Sequence, residues 1–297
     1  MNRSIDNLNR QFSIAGQLSF EPTQPGLPVA TVHTPQASAR VALHGGQVLA
    51  WQPVGHKPVL WVSKAAVFEP GKPVRGGVPV CWPWFGVLPD KSTHGFVRTR
   101  LWQVRGTALD TTGGVVLRLG IGDDESTHLA WDHAFDLELE VTVGPTLTMA
   151  LTTRNTGAAA FGITQALHTY FCVGDITQTR VQGLDGCDYL DKVQDFAKKQ
   201  QVGAVQMTGE TDRIYLDTTS DCVIEDAAWG RSICIAKQGS QSSVVWNPWI
   251  EREKSFVDMA TGEYQGMLCV ETCNAGPDQV TLAAGATHTL GASIKIL

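Results

Sequence analysis

Two titratable side chains lie within runs of apolar residues, where ionisable groups are uncommon. His168 lies in the segment QALHTYF, and Glu271 lies at the centre of LCVETCNA. Glutamate is rarely fully buried without a partner, so Glu271 faces either solvent or a functional site. A lone histidine among apolar neighbours is more often a hydrogen-bonded core residue than a reactive one. If both side chains face one pocket, they can act as a general acid and a general base.

A locally basic, glycine-rich segment extends over residues 70–105. Its charged residues are Lys72, Arg75, Asp90, Lys91, Arg98, Arg100 and Arg105. The whole chain, by contrast, has 23 Lys+Arg against 29 Asp+Glu. Guanidinium groups beside a glycine-rich backbone suit a small anion, because they offer several N–H donors to phosphate or carboxylate oxygens. We predict that Arg75 and Arg98 bind such an anion. The alternative for each is an exposed surface arginine.

Aromatic residues accompany these candidates. The runs WPWFG and WNPW contain Trp82, Trp84, Phe85, Trp246 and Trp249. Indole rings can pack against the apolar face of a sugar while their N–H groups donate hydrogen bonds, although for each tryptophan taken alone ordinary core packing is the favoured interpretation. In the run HGFVR, the side chains of His94, Phe96 and Arg98 share one face if the backbone is extended.

Motifs that would indicate other chemistry are missing. The sequence has no G-x-x-x-x-G-K-[ST] and no G-x-G-x-x-G between a strand and a helix, so it predicts no nucleotide-binding loop. It also lacks the G-x-S-x-G nucleophile elbow. Cys269 and Cys273 are four residues apart without a second Cys or His pair nearby, so we predict no metal site and no cofactor.

Composition limits the partners and the location. A pI near 5.7 argues against nucleic acid, which normally needs a broad basic face. No uncharged apolar run approaches the ~20 residues of a membrane span. The N-terminal run MNRSIDNLNRQFSIAG has no continuous apolar core, so it does not resemble a secretory signal. The seven scattered cysteines are typical of reduced thiols. We predict a cytoplasmic monomer that binds neither nucleic acid nor membranes.

The elements that must position these residues are mostly strands. Residues 137–143 and 147–151 alternate apolar and polar side chains around Gly144-Pro145, which predicts an antiparallel hairpin with one solvated face. Further strands are predicted at residues 59–62, 115–121, 163–170, 233–236, 244–246, 267–272 and 293–297. Short helices are predicted at 4–12, capped by Ser4, and within 123–131. We predict an all-β fold, a large antiparallel β-sandwich with few short helices, in one domain over residues 1–297.

Six segments carry a resemblance to a known family. They are RGGVPVCWPWFG, HGFVR, ALHTYF, ETDRIY, VVWNPW and CVETCNA, in this order between about Gly45 and Asn274. Together they resemble the hexose-6-phosphate mutarotases, the phosphorylated-sugar branch of the aldose 1-epimerase superfamily. The resemblance implies a β-sandwich of the galactose-mutarotase type and cofactor-free interconversion of α and β anomers, with a small hexose phosphate as the substrate.

The resemblance also implies roles for single residues. His168 matches the family's catalytic histidine, in an H-x-Y/F setting, and Glu271 matches its catalytic glutamate, in an E-x-x-N setting. Arg75 and Arg98 match basic residues that hold the substrate phosphate. Asp212, in ETDRIY, matches a substrate-binding aspartate.

Three further positions belong to the predicted substrate site. Some relatives carry a glutamine where this chain has Thr93, so Thr93 is the weakest of the predicted contacts. His94 either adds to the phosphate anchor or braces its loop. Trp246, in VVWNPW, is predicted to form part of the pocket wall.

The residue types suit the opening of a cyclic hemiacetal. That step removes a proton from the anomeric hydroxyl and delivers one to the ring oxygen, which a carboxylate and an imidazolium can do. Our hypothesis assigns Glu271 as the base and His168 as the acid, with Asp212 bonding ring hydroxyls or orienting His168. Two alternatives remain: a mutarotase for free aldoses, and a non-catalytic sugar-phosphate-binding protein on the same scaffold.

Overall fold

The computed structural model describes residues 4–23 and 26–297. The helices are α1 (Ile5–Phe12), α2 (Glu125–Ala130) and α3 (Trp249–Glu253). The strands are β1 (Leu18–Pro22), β2 (Pro28–His33), β3 (Ala37–Ala42), β4 (Gln47–Pro53), β5 (Val80–Cys81), β6 (Gln103–Leu109), β7 (Val115–Gly122), β8 (Phe135–Val143), β9 (Leu147–Asn155), β10 (Phe161–Ile163), β11 (Gln165–Leu167), β12 (Tyr170–Cys172), β13 (Thr179–Gln182), β14 (Asp188–Asp191), β15 (Ala197–Gln200), β16 (Val205–Gln206), β17 (Thr211–Tyr215), β18 (Cys222–Asp226), β19 (Arg231–Gln238), β20 (Ser242–Asn247), β21 (Met267–Asn274), β22 (Val280–Leu282) and β23 (Thr287–Ile296). Regular structure is therefore almost entirely β, which confirms the predicted all-β class.

Two large antiparallel sheets make up most of the fold. One has nine strands in the order β16-β13-β18-β19-β23-β9-β8-β7-β6. The other has eight, in the order β15-β14-β17-β20-β21-β11-β5, with β12 also paired to β21. A four-stranded sheet follows the order β1-β2-β3-β4, and β10 pairs with β22. Four of the eight strand pairings in the nine-stranded sheet join consecutive strands, whereas only two of the seven pairings in the eight-stranded sheet do so.

The main hydrophobic core draws side chains from both large sheets. Leu139 and Leu151 enter it from the nine-stranded sheet, and Val245 and Val270 enter it from the eight-stranded sheet. Residues along β8 alternate between buried and half-buried, so one face packs on the core and the other is partly solvated. This confirms the predicted hairpin, and burial of each large apolar side chain contributes about 1.5–3 kcal/mol.

Strand β21 is buried along its whole length, on both faces. One face gives Leu268 and Val270 to the main core. The other face, where Cys269 and Glu271 alternate with these residues, packs on two smaller clusters. Glu271 therefore lies on the second face of the eight-stranded sheet, away from the sandwich core.

The predicted strand at 163–170 is wrong in its continuity. The ladder to β21 runs through Leu167↔Thr272, stops for two residues, and resumes at Tyr170↔Cys269. At the break, the N–H of Thr169 donates to the carbonyl of Leu167 instead of to β21, and the N–H of His168 donates to the carbonyl of Pro79, in register with the pairing to β5. The register on both sides is the same, so His168 lies across from Glu271.

Two other local predictions have different outcomes. The helix at 4–12 is confirmed as α1, and the hydroxyl of Ser4 accepts a hydrogen bond from the N–H of Asn7. The strand predicted at 59–62 is wrong, because only isolated bridges form at Leu60 and Val62.

Within residues 4–23 and 26–297, no helix has both the length and the apolar character needed to cross a membrane. The single domain over 1–297 stays a prediction, and it includes residues 1–3 and 24–25, which lie outside the described residues.

Candidate active site

His168 and Glu271 meet on the second face of the eight-stranded sheet. Nε2 of His168 lies 3.4 Å from Oε1 of Glu271, and their side chains are 10% and 1% exposed. Oε2 of Glu271 and Nδ1 of His168 are also buried, and neither has a hydrogen-bond partner within the described part of the chain. Leaving such atoms unpaired is unfavourable, so a ligand that bonds to them is favoured.

Burial favours the uncharged form of both groups. It lowers the pKa of His168 well below its usual value, and the positive charges of Arg98 and Arg75 lower it further. Burial also raises the pKa of Glu271 well above its usual value, and the nearby carboxylate of Asp212 adds to the effect. Burial therefore favours the neutral pair, with the shared proton on the carboxyl group, over the ion pair, in which the same proton lies on the imidazole.

Aromatic rings surround the imidazole of His168. Tyr170 stacks on it, with ring centroids 4.8 Å apart. The rings of His94, Trp246 and Phe85 meet it edge to face at 5.6, 6.1 and 6.3 Å. The structure thus places Trp246 beside the pair, on the same face of the sheet. Tyr170 was not among the predicted site residues, although it is the aromatic position of the H-x-Y/F setting.

Arg75 is held in place by residues that are distant in the chain. Its Nε and Nη2 donate to Oδ1 of Asp258 at 3.2 and 3.0 Å, and its Nη1 donates to the hydroxyl of Tyr170 at 3.3 Å. The guanidinium also lies over the ring of Phe256, 4.4 Å from its centroid. Because guanidinium has five N–H groups, these three bonds leave two N–H groups that could donate to a ligand. Nothing in the sequence near Arg75 indicates Asp258, which follows it by 183 residues.

The segment around Arg98 is not extended, so the condition under which His94, Phe96 and Arg98 would share one face is not met. His94 and Gly95 have positive φ values of 64° and 73°, and a 3₁₀ turn follows at Val97–Thr99. Nη2 of Arg98 donates to the carbonyl of Thr93 at 2.7 Å, whereas its buried Nε has no partner among the described residues. Thr93 itself is exposed and contributes its backbone here.

His94 is uncharged. Burial and the charges of Arg98, Lys192 and Arg75 lower its pKa to about 3. Its Nδ1 accepts a hydrogen bond from the N–H of Gly86 at 3.1 Å, which leaves the ring proton on Nε2. His94 therefore braces its own loop and offers one N–H donor.

The other cations of residues 70–105 point elsewhere. Lys72 pairs with Glu69, Lys91 donates to the carbonyl of Ala130, Arg100 bonds Ser126, and Arg105 pairs with Asp136 and Glu138. The basic segment is thus not one positive surface. Arg75 and Arg98, by contrast, lie near enough to His168 for their charges to lower its pKa.

Asp212 lies two strands away from Glu271 on the same face. It is directly opposite Trp246, which is directly opposite Cys269. Nζ of Lys192 donates to Oδ2 of Asp212 at 2.6 Å. Burial raises the pKa of Asp212, and the charge and hydrogen bond of Lys192 oppose that rise. Lys192 was missed at the sequence level, because it lies in an unremarkable polar run.

A profile of the aldose 1-epimerase family matches residues 28–295. The chain belongs to the aldose 1-epimerase family. Membership confirms the resemblance on which the sequence prediction depended, and with it an isomerase that interconverts the anomers of a sugar.

Relatives of this epimerase are similar over most of their length. The chain is 37% identical over 273 residues to a protein of Escherichia coli K12 that is named, provisionally, a glucose-6-phosphate 1-epimerase; the match covers 91% of this chain and 90% of that one. A protein of Cenchrus ciliaris with the same provisional name is 36% identical over 262 residues, 83% of this chain and 78% of that one. The crystal structure of a provisionally assigned mutarotase from Salmonella typhimurium superposes with a TM-score of 0.89 at 33% identity, covering 96% and 95% of the two chains. The predicted sandwich fold is confirmed.

The epimerase also has one donor set that could hold a metal ion, among the residues that the structure describes. Ligand atoms of His168, Cys269 and Glu271 lie within 4.8 Å of one another, and all three residues are buried. Burial raises the pKa of the Cys269 thiol well above its usual value, so this sulfur is a protonated, weak ligand. A metal at this position would occupy the His168–Glu271 pair itself.

Gly95 allows the loop of this epimerase to carry His94 and Arg98 beside the pair. A Cβ at Gly95 would lie 1.8 Å from the carbonyl oxygen of Trp82, and the φ of +73° already disfavours a side chain. We expect Gly95→Ala to destabilise the fold by about 3 kcal/mol or more and to lower activity. Thermal unfolding and anomer-exchange rates measure the two effects.

The matched control is Gly86→Ala on the same loop. Gly86 also has a positive φ, +100°, but a Cβ there would meet nothing within 4 Å. We therefore expect Gly86→Ala to lose only about 1–2 kcal/mol of stability, the cost of placing a side chain on a backbone with positive φ. Equal destabilisation by the two variants would show that contact with Trp82 is unimportant.

Proposed function

We propose that the protein interconverts the α and β anomers of a hexose 6-phosphate, with glucose 6-phosphate as the first candidate. The observation that carries the proposal is the buried His168–Glu271 pair, with an unpaired polar atom on each partner and with Arg75 and Arg98 beside it. The provisional names of the relatives in Escherichia coli and Cenchrus ciliaris support the phosphorylated substrate.

Ring opening begins with the pair in its charged arrangement. The carboxylate of Glu271 removes the proton from the anomeric hydroxyl, and the imidazolium of His168 delivers a proton to the ring oxygen. The bond between the anomeric carbon and the ring oxygen breaks, and an aldehyde forms. Each transfer by a positioned group is worth about 10²–10⁴-fold in rate.

Reclosure uses the same two groups in reverse. After opening, Glu271 is a neutral acid and His168 a neutral base, which is the arrangement that burial favours. The aldehyde carbon turns about its bond to the next carbon. His168 then takes the proton from the ring hydroxyl as it attacks either face, and Glu271 returns a proton to the anomeric oxygen.

The phosphate has two effects in this scheme. Bound by Arg75 and Arg98, it fixes the sugar at a distance from the reacting carbon, so that binding energy is used for orientation. Its negative charge also offsets the two positive charges that lower the pKa of His168. Arrival of the substrate therefore favours the imidazolium that the opening step needs.

The main test compares glucose 6-phosphate with glucose. We expect the protein to accelerate anomer exchange of glucose 6-phosphate, measured by exchange NMR, with a clear preference over the free sugar. A preference for glucose would favour the free-aldose alternative, which gains support from the pairing of Arg75 with Asp258. Binding of glucose 6-phosphate without faster exchange would indicate a non-catalytic sugar-phosphate-binding protein.

A cytoplasmic location, a monomeric state and a single domain also belong to this proposal. All seven cysteines are free thiols, which suits a reducing compartment. Light scattering of the purified protein tests the monomer, and a second, independent thermal transition would contradict the single domain.

A further inference from the structure

The Lys192–Asp212 pair has unused hydrogen-bonding capacity next to the candidate active site. The ammonium group has three donors, and one of them bonds Oδ2 of Asp212. Within the described part of the chain, Oδ1 of Asp212 and the other donors of Lys192 have no hydrogen-bond partner. The side chains are 30% and 19% exposed, so the pair is partly shielded yet accessible.

The pair faces the same space as His168 and Glu271. Asp212, Trp246 and Cys269 are direct neighbours on three adjacent strands, and Glu271 follows Cys269 on the same face. Adjacent strands are about 4.8 Å apart, so Asp212 and Cys269 are about 10 Å apart, with Trp246 between them. The positive charge of Lys192 acts on both His94 and Glu271, which come from two different segments around this space.

A carboxylate oxygen and an ammonium group side by side match two neighbouring hydroxyl groups. The carboxylate accepts a proton from one hydroxyl, and the ammonium donates to the oxygen of the next. The indole of Trp246, between this pair and Glu271, offers an apolar surface for the face of a sugar ring. A pyranose with its anomeric carbon at Glu271 then extends its far side, carbons 3 and 4, toward Lys192.

The resemblance already implies that Asp212 binds the substrate. We propose that Lys192, held beside Asp212, donates to the hydroxyl group on carbon 4 of the sugar and determines specificity at that carbon. This inference rests on the proposed function for the identity of the substrate. A site built to bond a hydroxyl discriminates strongly against a sugar that lacks it or places it elsewhere, because its buried polar groups are then left unpaired. Glucose and galactose 6-phosphates differ at carbon 4, and glucose and mannose 6-phosphates at carbon 2.

The test measures kcat/KM by exchange NMR for these three sugar phosphates with wild type and Lys192→Met. We expect the variant to lose about 10- to 100-fold with glucose 6-phosphate, the effect of one hydrogen bond to a charged group. We also expect the preference for glucose over galactose 6-phosphate to shrink by a similar factor, while the glucose-to-mannose ratio stays the same. Lys192→Arg keeps the charge and should restore part of the preference.

The matched control is Lys199→Met. Lys199 belongs to the same hairpin, pairs with Asp191 at 2.7 Å and has a side chain 32% exposed. Lys199→Met should leave all three activities unchanged.

An unchanged glucose-to-galactose ratio in Lys192→Met, with the melting temperature preserved, overturns the proposed role of Lys192. If Lys192→Met does not fold, Lys192→Arg and Asp212→Asn give the same ratio test. Failure of wild type to act on glucose 6-phosphate would instead overturn the proposed function.

Discussion

Glu271→Gln is expected to lower kcat for anomer exchange by about 10²–10⁴-fold and at the same time to raise the melting temperature. The amide cannot remove a proton from the anomeric hydroxyl. The substitution also removes a carboxyl group that is costly to bury. Its Oε2 has no partner in the described structure, and the Glu271 side chain is 1% exposed. Exchange NMR at saturating glucose 6-phosphate measures the first effect, and thermal unfolding measures the second.

The gain in stability should grow with pH. Burial raises the pKa of Glu271 above its ordinary value of 4.5 in the folded protein. Above that ordinary value the unfolded chain loses a proton that the folded protein keeps, so wild-type stability falls as pH rises, by at most about 1.4 kcal/mol per pH unit. The decline ends at the raised pKa of the folded state. Glutamine has no such slope, so the two unfolding free energies should diverge as pH rises above about 4.5, until the raised pKa of the folded protein is reached.

Glu253→Gln is the matched control. Glu253 is also a buried glutamate, but its two oxygens accept hydrogen bonds from the N–H groups of Gly262 and Tyr264, both at 2.7 Å. An amide there places an NH₂ group against an N–H donor, so stability should fall while activity per folded molecule stays near wild type. If Glu271→Gln kept more than a tenth of wild-type turnover, Glu271 would not be the base.

The sequence predicts elements whose partners are near in the chain. The alternation around Gly144-Pro145 was sufficient for the β8–β9 hairpin, because each strand's core face is visible in its own residues. The cap of α1 at Ser4 was equally local. Glu271 was recognised because a carboxylate within an apolar run has few structural explanations.

The remaining features depend on pairings between distant segments. The backbone of His168 is held by a hydrogen bond to Pro79, 89 residues earlier, and the guanidinium of Arg75 is held by Asp258, 183 residues later. Lys192 is near the site only because β14 and β17 are adjacent in the eight-stranded sheet. Composition does not indicate such contacts. The sequence therefore suggested one positive surface over residues 70–105, whereas in the structure the cations of this segment have separate partners.

Arg75 and Arg98 have different bonding partners, so substitution of each should change the activities on glucose and glucose 6-phosphate differently. Arg75 is paired with Asp258 and bonds Tyr170, which stacks on His168. Its loss leaves a carboxylate unpaired and loosens the ring that supports His168. We therefore expect Arg75→Met to lower activity on both glucose and glucose 6-phosphate, with some loss of stability. The loss should be larger with glucose 6-phosphate, because the contact with the phosphate is lost as well.

Arg98→Met, in contrast, should act on the phosphate alone. The buried Nε of Arg98 has no partner among the described residues, and its Nη2 donates to a backbone carbonyl rather than to an acid. We expect kcat/KM for glucose 6-phosphate to fall about 10- to 100-fold, the effect of a charge-assisted hydrogen bond of about 1.5–3 kcal/mol, with glucose changed less than about twofold. Competitive inhibition by inorganic phosphate should weaken by the same factor.

Arg105→Met controls for the loss of one positive charge from the same segment. Arg105 pairs with Asp136 and Glu138 on the nine-stranded sheet, so neither substrate should be affected. In Arg98→Met, one of the charges that lower the pKa of His168 is gone. Free glucose, which brings no phosphate to offset that charge, should therefore become a slightly better substrate at neutral pH. Equal losses with glucose and glucose 6-phosphate would show that Arg98 supports the loop and does not bind the phosphate.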